Sequence, residues 1–225
     1  MRAISMVMLS AVFVLSGCAA PTVDTSDESK MTFDGLYPVK GSRADEAWAR
    51  PDVDLAQYSK IMLQSVGVEY RPGGESGRTF YSRSRGGPYE VTEEQKARFE
   101  ATMREAFLEE LAKSENYTFT SEPGPDVLLI RGGLLDVVSY VPPDAIGGRV
   151  DVYLSQVGEA TLVLELRDSI TEAILARAVD RRAAEDFAGL QESNRVNNRA
   201  EVRRLAQTWA RMLRERLDEF GAPAE

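Results

Sequence analysis

Residues 158–182 read GEATLVLELRDSITEAILARAVDRR and carry the clearest structural pattern in the chain. Small or aliphatic side chains alternate there with a more polar set: Ala160, Leu162, Leu164 and Leu166 against Thr161, Val163, Glu165 and Arg167. This period of two predicts a strand with one buried face and one wetter face. Residues 173–183 (AILARAVDRRA) return as a partner strand after residues 168–172. The stretch therefore predicts a β-hairpin with a turn of about four or five residues.

Two helices are predicted on either side of this hairpin. Thr92-Glu93-Glu94-Gln95 is a capping box, which begins a helix that runs to about Lys113. The second helix follows the hairpin, and Asn197 or Asn198 can cap it. It has one continuous apolar stripe at helical spacing, formed by Val202, Leu205, Ala206, Trp209, Met212, Leu213 and Leu217. This stripe predicts a helix that packs on the sheet.

Further strands come before the hairpin. Residues 60–70 (KIMLQSVGVEY) and 127–141 (VLLIRGGLLDVVSYV) are rich in Val, Ile and Leu and favour strands, and residues 117–120 favour a short one. The order of elements predicts the α+β class. We expect a largely antiparallel sheet of about four to five strands, with both helices packed on one face.

The N-terminus has the layout of an export signal. Arg2 is the only charge before Asp24, and the apolar run of residues 4–15 is shorter than the ~20 residues that a transmembrane helix needs. The run ends in Leu15-Ser16-Gly17-Cys18, which resembles the lipobox of bacterial lipoproteins. The resemblance implies cleavage before Cys18, acylation of its thiol, and membrane lipid as a partner. Because no Asp follows the cysteine, it also implies delivery to the outer membrane, facing the periplasm.

These features divide the chain into three parts. Residues 1–17 are the predicted signal peptide, 18–44 the lipidated cysteine with a flexible tether, and 45–221 a single α+β domain. Residues 19–34 contain almost no large apolar side chain. A flexible segment of that length lets the domain float ~20–25 Å from the bilayer.

The composition limits the classes of function. The chain has 27 basic and 36 acidic side chains, and its net charge of −9 argues against nucleic acid as a partner. It contains no histidine, which removes the commonest general base and the commonest zinc ligand. Cys18 is the only cysteine, so no internal disulfide can form. We therefore expect no catalytic residue, no metal site and no cofactor.

A glycine-rich loop is locally basic in this acidic protein. Residues 71–89 read RPGGESGRTFYSRSRGGPY. Its cationic and aromatic side chains are Arg71, Arg78, Phe80, Tyr81, Arg83, Arg85 and Tyr89. A loop of this length is either a solvated surface segment or functional, and here the functional interpretation is a contact surface for an acidic envelope protein.

One catalytic alternative remains, since paired carboxylates can act without histidine. The candidates for an enzyme acting on envelope glycan are Asp136, Asp144, Asp151 and Glu165. A third alternative is a carrier of a small apolar ligand held between helix and sheet, which requires a large apolar pocket. The favoured hypothesis is a non-catalytic interaction or structural module of the bacterial envelope.

Residues 158–182, the helix around Trp209-Ala210 and the stretch DLAQYSKIMLQSVGV (54–68) together resemble the DUF3313 family of bacterial lipoproteins. The resemblance covers most of residues 45–220 and implies no established activity. The hairpin turn of that family usually reads Asp-Ser-x-Thr-Gly-Glu, and Glu172 stands here in place of the glycine. Either the turn has a different geometry, or Glu172 adopts a left-handed conformation at a cost of about 1 kcal/mol.

Overall fold

The computed structural model describes residues 20–72, 88–142, 153–185 and 191–221, so the predicted signal peptide and Cys18 lie outside it. Within these ranges the strands are β1 (Thr22–Val23), β2 (Tyr37–Lys40), β3 (Glu46–Ala49), β4 (Lys60–Tyr70), β5 (Thr118–Phe119), β6 (Val127–Ser139), β7 (Tyr153–Leu154), β8 (Gln156–Asp168), β9 (Ile174–Glu185) and β10 (Gln191–Glu192). The α-helices are α1 (Glu93–Leu111) and α2 (Arg195–Gly221). A 3-10 turn spans Glu28–Lys30.

The main sheet is larger than the sequence predicts. Its strand order is β1-β2-β3-β9-β8-β6-β4-β5, and β7 and β10 form a separate pair. β4 runs parallel to β6 and β5, whereas the other neighbours in the main sheet are antiparallel. The parallel pairing arises because α1 lies between β4 and β6 in the chain and returns it to the same end of the sheet. The α+β class is therefore confirmed, but the sheet is mixed and has eight strands.

The predicted hairpin is the centre of this sheet. β8 and β9 pair antiparallel, with Leu162 opposite Asp180 and Leu164 opposite Ala178. The apolar set of β8 faces the helices and packs with Met103, Leu205 and other residues of α1 and α2. The polar set lies on the opposite face, which no helix of the described chain covers. The alternation in the sequence thus assigns the faces of β8 correctly.

The turn of the hairpin adopts the second of the two alternatives, the left-handed Glu172. Glu172 has a φ of +57°, in the left-handed region that glycine occupies without steric cost. Its backbone N–H donates to the Asp168 carbonyl at 2.9 Å, and its own carbonyl accepts from Arg167 Nη1 at 2.7 Å. One backbone and one side-chain hydrogen bond therefore hold the unfavourable conformation in place.

Replacing Glu172 with glycine is expected to raise the free energy of unfolding by about 0.5–1 kcal/mol, because removing Cβ relieves a left-handed residue while the unfolded chain gains some freedom. Urea unfolding of the two proteins measures the change. The matched control is Asp136→Gly, where φ is also positive, at +54°. That variant loses the ion pairs of Asp136 with Arg71 and Arg181 and should gain no stability. A lower melting temperature for Glu172→Gly would contradict the prediction.

Both helices begin at polar caps. Thr92 Oγ1 accepts from the Gln95 N–H at 3.3 Å, and Gln95 Oε1 accepts from the Thr92 N–H at 2.8 Å, so the predicted capping box is confirmed. α2 begins earlier than expected. Asn194 Oδ1 accepts from the backbone N–H groups of Val196 (3.1 Å) and Asn197 (2.9 Å), which makes Asn194 the residue that caps it. The predicted caps, Asn197 and Asn198, lie inside the helix.

The N-terminal segment is part of the domain, contrary to the predicted tether. β1 pairs with β2, β2 with β3, and β3 with β9 of the central hairpin. Leu36 is 0% exposed, and its N–H donates to Thr32 Oγ1 at 3.0 Å. Burial of Leu36 fixes this segment although its composition is mostly polar. The flexible tether predicted to end at residue 44 is therefore wrong from Thr22 onward.

Candidate binding cleft

A cleft of about 1070 Å³ lies between the first turns of α1, the first turns of α2 and one end of the sheet. We call it the end cleft. The sheet contributes the last part of β6, the start of β8 and the end of β9. Its main apolar lining residues are Phe99, Val137, Val138, Val157, Val202 and Leu205. The end cleft is thus built from α1, α2 and several strands that are spread along the sequence.

A bulge in β6 and a glycine in β8 shape its floor. The β6–β8 register shifts between Leu135 and Val138, and the consecutive residues Val137 and Val138 are both buried. A Cβ added to Gly158 would stand 2.3 Å from the Val138 carbonyl oxygen. Glycine is therefore required where the two strands approach each other below the end cleft.

Tyr70 supplies a polar group to this apolar surface. Its hydroxyl is occluded and has no hydrogen-bond partner in the part of the chain that the structure describes. The ring makes an edge contact with Phe99 at 6.1 Å between centroids, and Lys96 Nζ lies 5.2 Å from its centroid. Burial, followed by the charges of Glu100 and Glu93, raises the pKa of Tyr70, so the phenol stays protonated. A neutral donor is therefore present in the lining of the end cleft.

The rim of the end cleft is charged. Arg98 pairs with Glu94, and Arg199 pairs with Glu105 at 3.0 Å. Glu159 is held by Arg181 at 2.6 Å. Because these charges are already paired, they provide polar contacts around an apolar interior.

The described catalytic candidates lie elsewhere and are ion-paired. Asp136 accepts from Arg71 Nε at 2.6 Å and from Arg181 Nη1 at 2.7 Å. These hydrogen bonds, with that of Arg71 the stronger, lower the pKa of Asp136 to about 2. Both carboxylate oxygens of the side chain are thereby occupied at neutral pH.

Glu165 lies on the sheet face opposite the helices, between Arg167 (2.7 Å) and Arg177 (3.1 Å). Burial disfavours its charge, but hydrogen bonds from the two arginines outweigh burial and lower the pKa of Glu165. The carboxylate therefore has no proton to donate at neutral pH. The other two candidates, Asp144 and Asp151, fall in the gap at residues 143–152.

Only the two ends of the predicted partner-contact loop are described. The Arg71 N–H donates to the Val137 carbonyl at 2.9 Å, and the Tyr89 N–H donates to the Ser139 carbonyl at 2.8 Å. Both ends are therefore fixed to β6, next to the end cleft. Arg78, Phe80, Tyr81, Arg83 and Arg85 lie outside the described residues.

The described residues contain neither a metal-binding cluster nor a membrane-spanning helix. They include no group of three or more His, Cys, Asp or Glu side chains arranged to hold a metal ion. Neither α1 nor α2 is both long enough and apolar enough to cross a bilayer.

Residues 26–213 match the family model described as "Protein of unknown function (DUF3313)". The chain belongs to the DUF3313 family. The match reaches upstream of the predicted domain boundary at residue 45 and agrees with the structured N-terminal segment. Among curated protein sequences, none matches this DUF3313 chain.

Solved structures from several bacteria show distant similarity to this chain. A PelC dodecamer from Paraburkholderia phytofirmans is 12% identical, with a TM-score of 0.34, over 72% of this chain and 91% of that one. A protein from Xanthomonas campestris with the family model DUF330 is 9% identical, with a TM-score of 0.40, over 80% and 93%. A putative neuraminyllactose-binding hemagglutinin homolog from Helicobacter pylori is 11% identical, with a TM-score of 0.33, over 83% and 92%. These are distant similarities.

Proposed function

We propose that this DUF3313 protein is a lipid-anchored, non-catalytic binding module of the bacterial cell envelope, and that its end cleft holds an apolar ligand. The observation that carries the proposal is the end cleft itself. Its volume of about 1070 Å³ is at the upper end of the range of ~300–1,000 Å³ for small-molecule sites. Such sites combine an apolar lining with a few polar groups that fix orientation.

The lining residues fit this use. Phe99, Val157 and Val202 offer apolar surface, whose burial contributes about 25 cal/mol for each Å² removed from water. The hydroxyl of Tyr70 is occluded and has no partner among the described residues, so a ligand that displaced the side chains around it would gain one hydrogen-bond donor. An apolar ligand with at least one hydrogen-bond acceptor is therefore the best match.

The charges of Asp136 and Glu165 support a non-catalytic role. A glycosidase mechanism needs one carboxyl group that keeps its proton near neutral pH. The arginines beside Asp136 and Glu165 act in the opposite direction, since they lower the pKa of each. The absence of histidine from the sequence adds to this argument.

The N-terminal sequence supports the anchor. Residues 1–17 have the layout of an export signal, and Leu15-Ser16-Gly17-Cys18 resembles a lipobox. Acylation of Cys18 would attach the domain to the outer membrane on its periplasmic side, where an envelope protein or an apolar metabolite would be its partner. The net charge of −9 opposes binding to nucleic acid.

A substitution that fills the end cleft tests the proposal. Ala200 lines the end cleft at a half-buried position on α2. The larger side chain of Ala200→Phe should occupy part of the volume of the cleft. We expect the dissociation constant for N-phenyl-1-naphthylamine, an uncharged apolar dye, to rise at least about tenfold, which corresponds to about 1.4 kcal/mol. Fluorescence titration of the purified domain measures it.

The matched control is Ala97→Phe, because Ala97 is exposed on α1 and does not line the end cleft. It should bind the dye as the unchanged protein does. Equal affinity in the two variants, or no binding by the unchanged protein, would count against the end cleft as a ligand site. Mass spectrometry of the mature product tests the anchor separately, since it reads the modification of Cys18 directly.

A further inference from the structure

An apolar tip protrudes from the segment between the 3-10 turn and β2. Phe33 is 98% exposed and Met31 is 46% exposed. The tip is held in place: the Thr32 N–H donates to the Leu36 carbonyl at 2.8 Å, and the Gly35 N–H donates to the Thr32 carbonyl at 3.0 Å. Single exposed apolar residues are common on protein surfaces, but this phenyl ring has almost no contact with its own protein. It is therefore displayed on a fixed loop.

The tip lies on the side of the sheet away from the helices. Asp34, next to Phe33, pairs with Arg177 Nη2 at 2.5 Å. Arg177 also pairs with Glu165 on the sheet face opposite α1 and α2. Asp34 therefore holds the base of the tip against β9 and β8, on the sheet face opposite α1 and α2.

The β1–β2 edge of the sheet begins just after the proposed anchor. Thr22, the first residue of β1, lies four positions after Cys18, and four such steps span at most about 14 Å. This reach is shorter than the ~20–25 Å expected of a flexible tether through residue 34. A domain anchored at Cys18 is therefore kept with its β1–β2 edge close to the bilayer.

We propose that Phe33, together with Met31, inserts into the lipid leaflet that holds the acyl chains of Cys18. The inference rests on the proposed lipid anchor and adds an orientation: the sheet face opposite α1 and α2, with β1 and β2 at its near end, is turned toward the membrane. Aromatic and aliphatic side chains are favoured at the boundary between headgroups and acyl chains. Because the chain is acidic overall, apolar contact at the tip provides an attraction to lipid that the net charge does not.

Site-specific labelling of the full acylated protein tests this orientation. Cys18 is the only cysteine and acylation blocks it, so Phe33→Cys provides one reactive thiol for an environment-sensitive nitrobenzoxadiazole dye. The protein is reconstituted into vesicles of phosphatidylethanolamine and phosphatidylglycerol, with or without nitroxide-labelled lipid. We expect a blue shift of the emission and quenching by the nitroxide. Met31→Cys, which retains Phe33, should give the same result.

The control is Leu108→Cys, because Leu108 is 41% exposed, close to the 46% of Met31, and lies on α1 in the helix layer. It should show neither the shift nor the quenching. Two results would overturn the orientation and leave the anchor intact, provided that mass spectrometry shows Cys18 to be acylated. One is equal quenching at positions 33 and 108, and the other is no quenching at position 33. An unmodified Cys18 would overturn the anchor and this inference together.

Discussion

Replacing Trp209 with alanine is expected to lower the free energy of unfolding by about 3–5 kcal/mol, the range found for removal of a large buried aromatic side chain. Trp209 is 2% exposed and lies in the core cluster between α2 and the sheet. Its indole Nε1–H donates to Asp180 Oδ2 at 2.7 Å. The substitution therefore leaves both a cavity and a buried carboxylate with one donor fewer. Urea unfolding, followed by far-ultraviolet circular dichroism, measures the loss.

Trp209→Phe separates the two contributions. Phenylalanine retains most of the apolar surface but cannot donate to Asp180, so we expect an intermediate loss of about 1–3 kcal/mol. Asp180 would still accept from Arg182 Nε at 2.5 Å and from the Asp45 N–H at 3.1 Å. Stability of Trp209→Ala within about 1 kcal/mol of the unchanged protein would show that Trp209 does not connect α2 to the sheet as described.

Local pattern explains what the sequence predicts well. The alternation in β8 and the capping box at Thr92 are set by neighbours within a few residues. The turn sequence is also local, and it limits Glu172 to two alternatives, of which the structure adopts the left-handed one. Elements whose stabilising contacts are local in sequence can be located without knowledge of the fold.

The burial of Asp180 cannot be predicted from its sequence neighbours. In the sequence this residue introduces the charged run Asp180-Arg181-Arg182, which is typical of a solvated strand end, yet in the structure it is buried. Its burial is compensated by Trp209, which is 29 residues away in the chain. A side chain whose partner is so distant in sequence cannot be assigned to the core from its own neighbours.

The end cleft could not be predicted for a related reason. Phe99 and Val202 belong to the apolar stripes of the two helices and, from sequence, resemble ordinary core residues. Whether these side chains pack against another element or line a cleft depends on the distance between the helices and the end of the sheet. Periodicity identifies an apolar face, but it contains no information about the distance to the next layer.

The N-terminal segment gives the second large expected effect. Leu36→Ala should lower the free energy of unfolding by about 2–5 kcal/mol, because Leu36 is 0% exposed and truncation of a buried leucine leaves a cavity. Phe33→Ala, three residues earlier on the same loop, should change it by no more than about 0.5 kcal/mol, because that ring is 98% exposed. Urea unfolding of the two variants side by side measures the difference.

The pair distinguishes a structural segment from a tether. In a tether the two substitutions would have the same small effect, and that result would restore the domain boundary at residue 45 that the composition suggests. In the structure the segment supplies β1 and β2. These two strands extend the sheet beyond β3, which pairs with β9. A chain beginning at residue 45 would therefore expose the edge of β3 and leave Arg177 without its partner Asp34. Polar composition obscured this role because one buried leucine and a few strand pairings are sufficient to fix the segment on the domain.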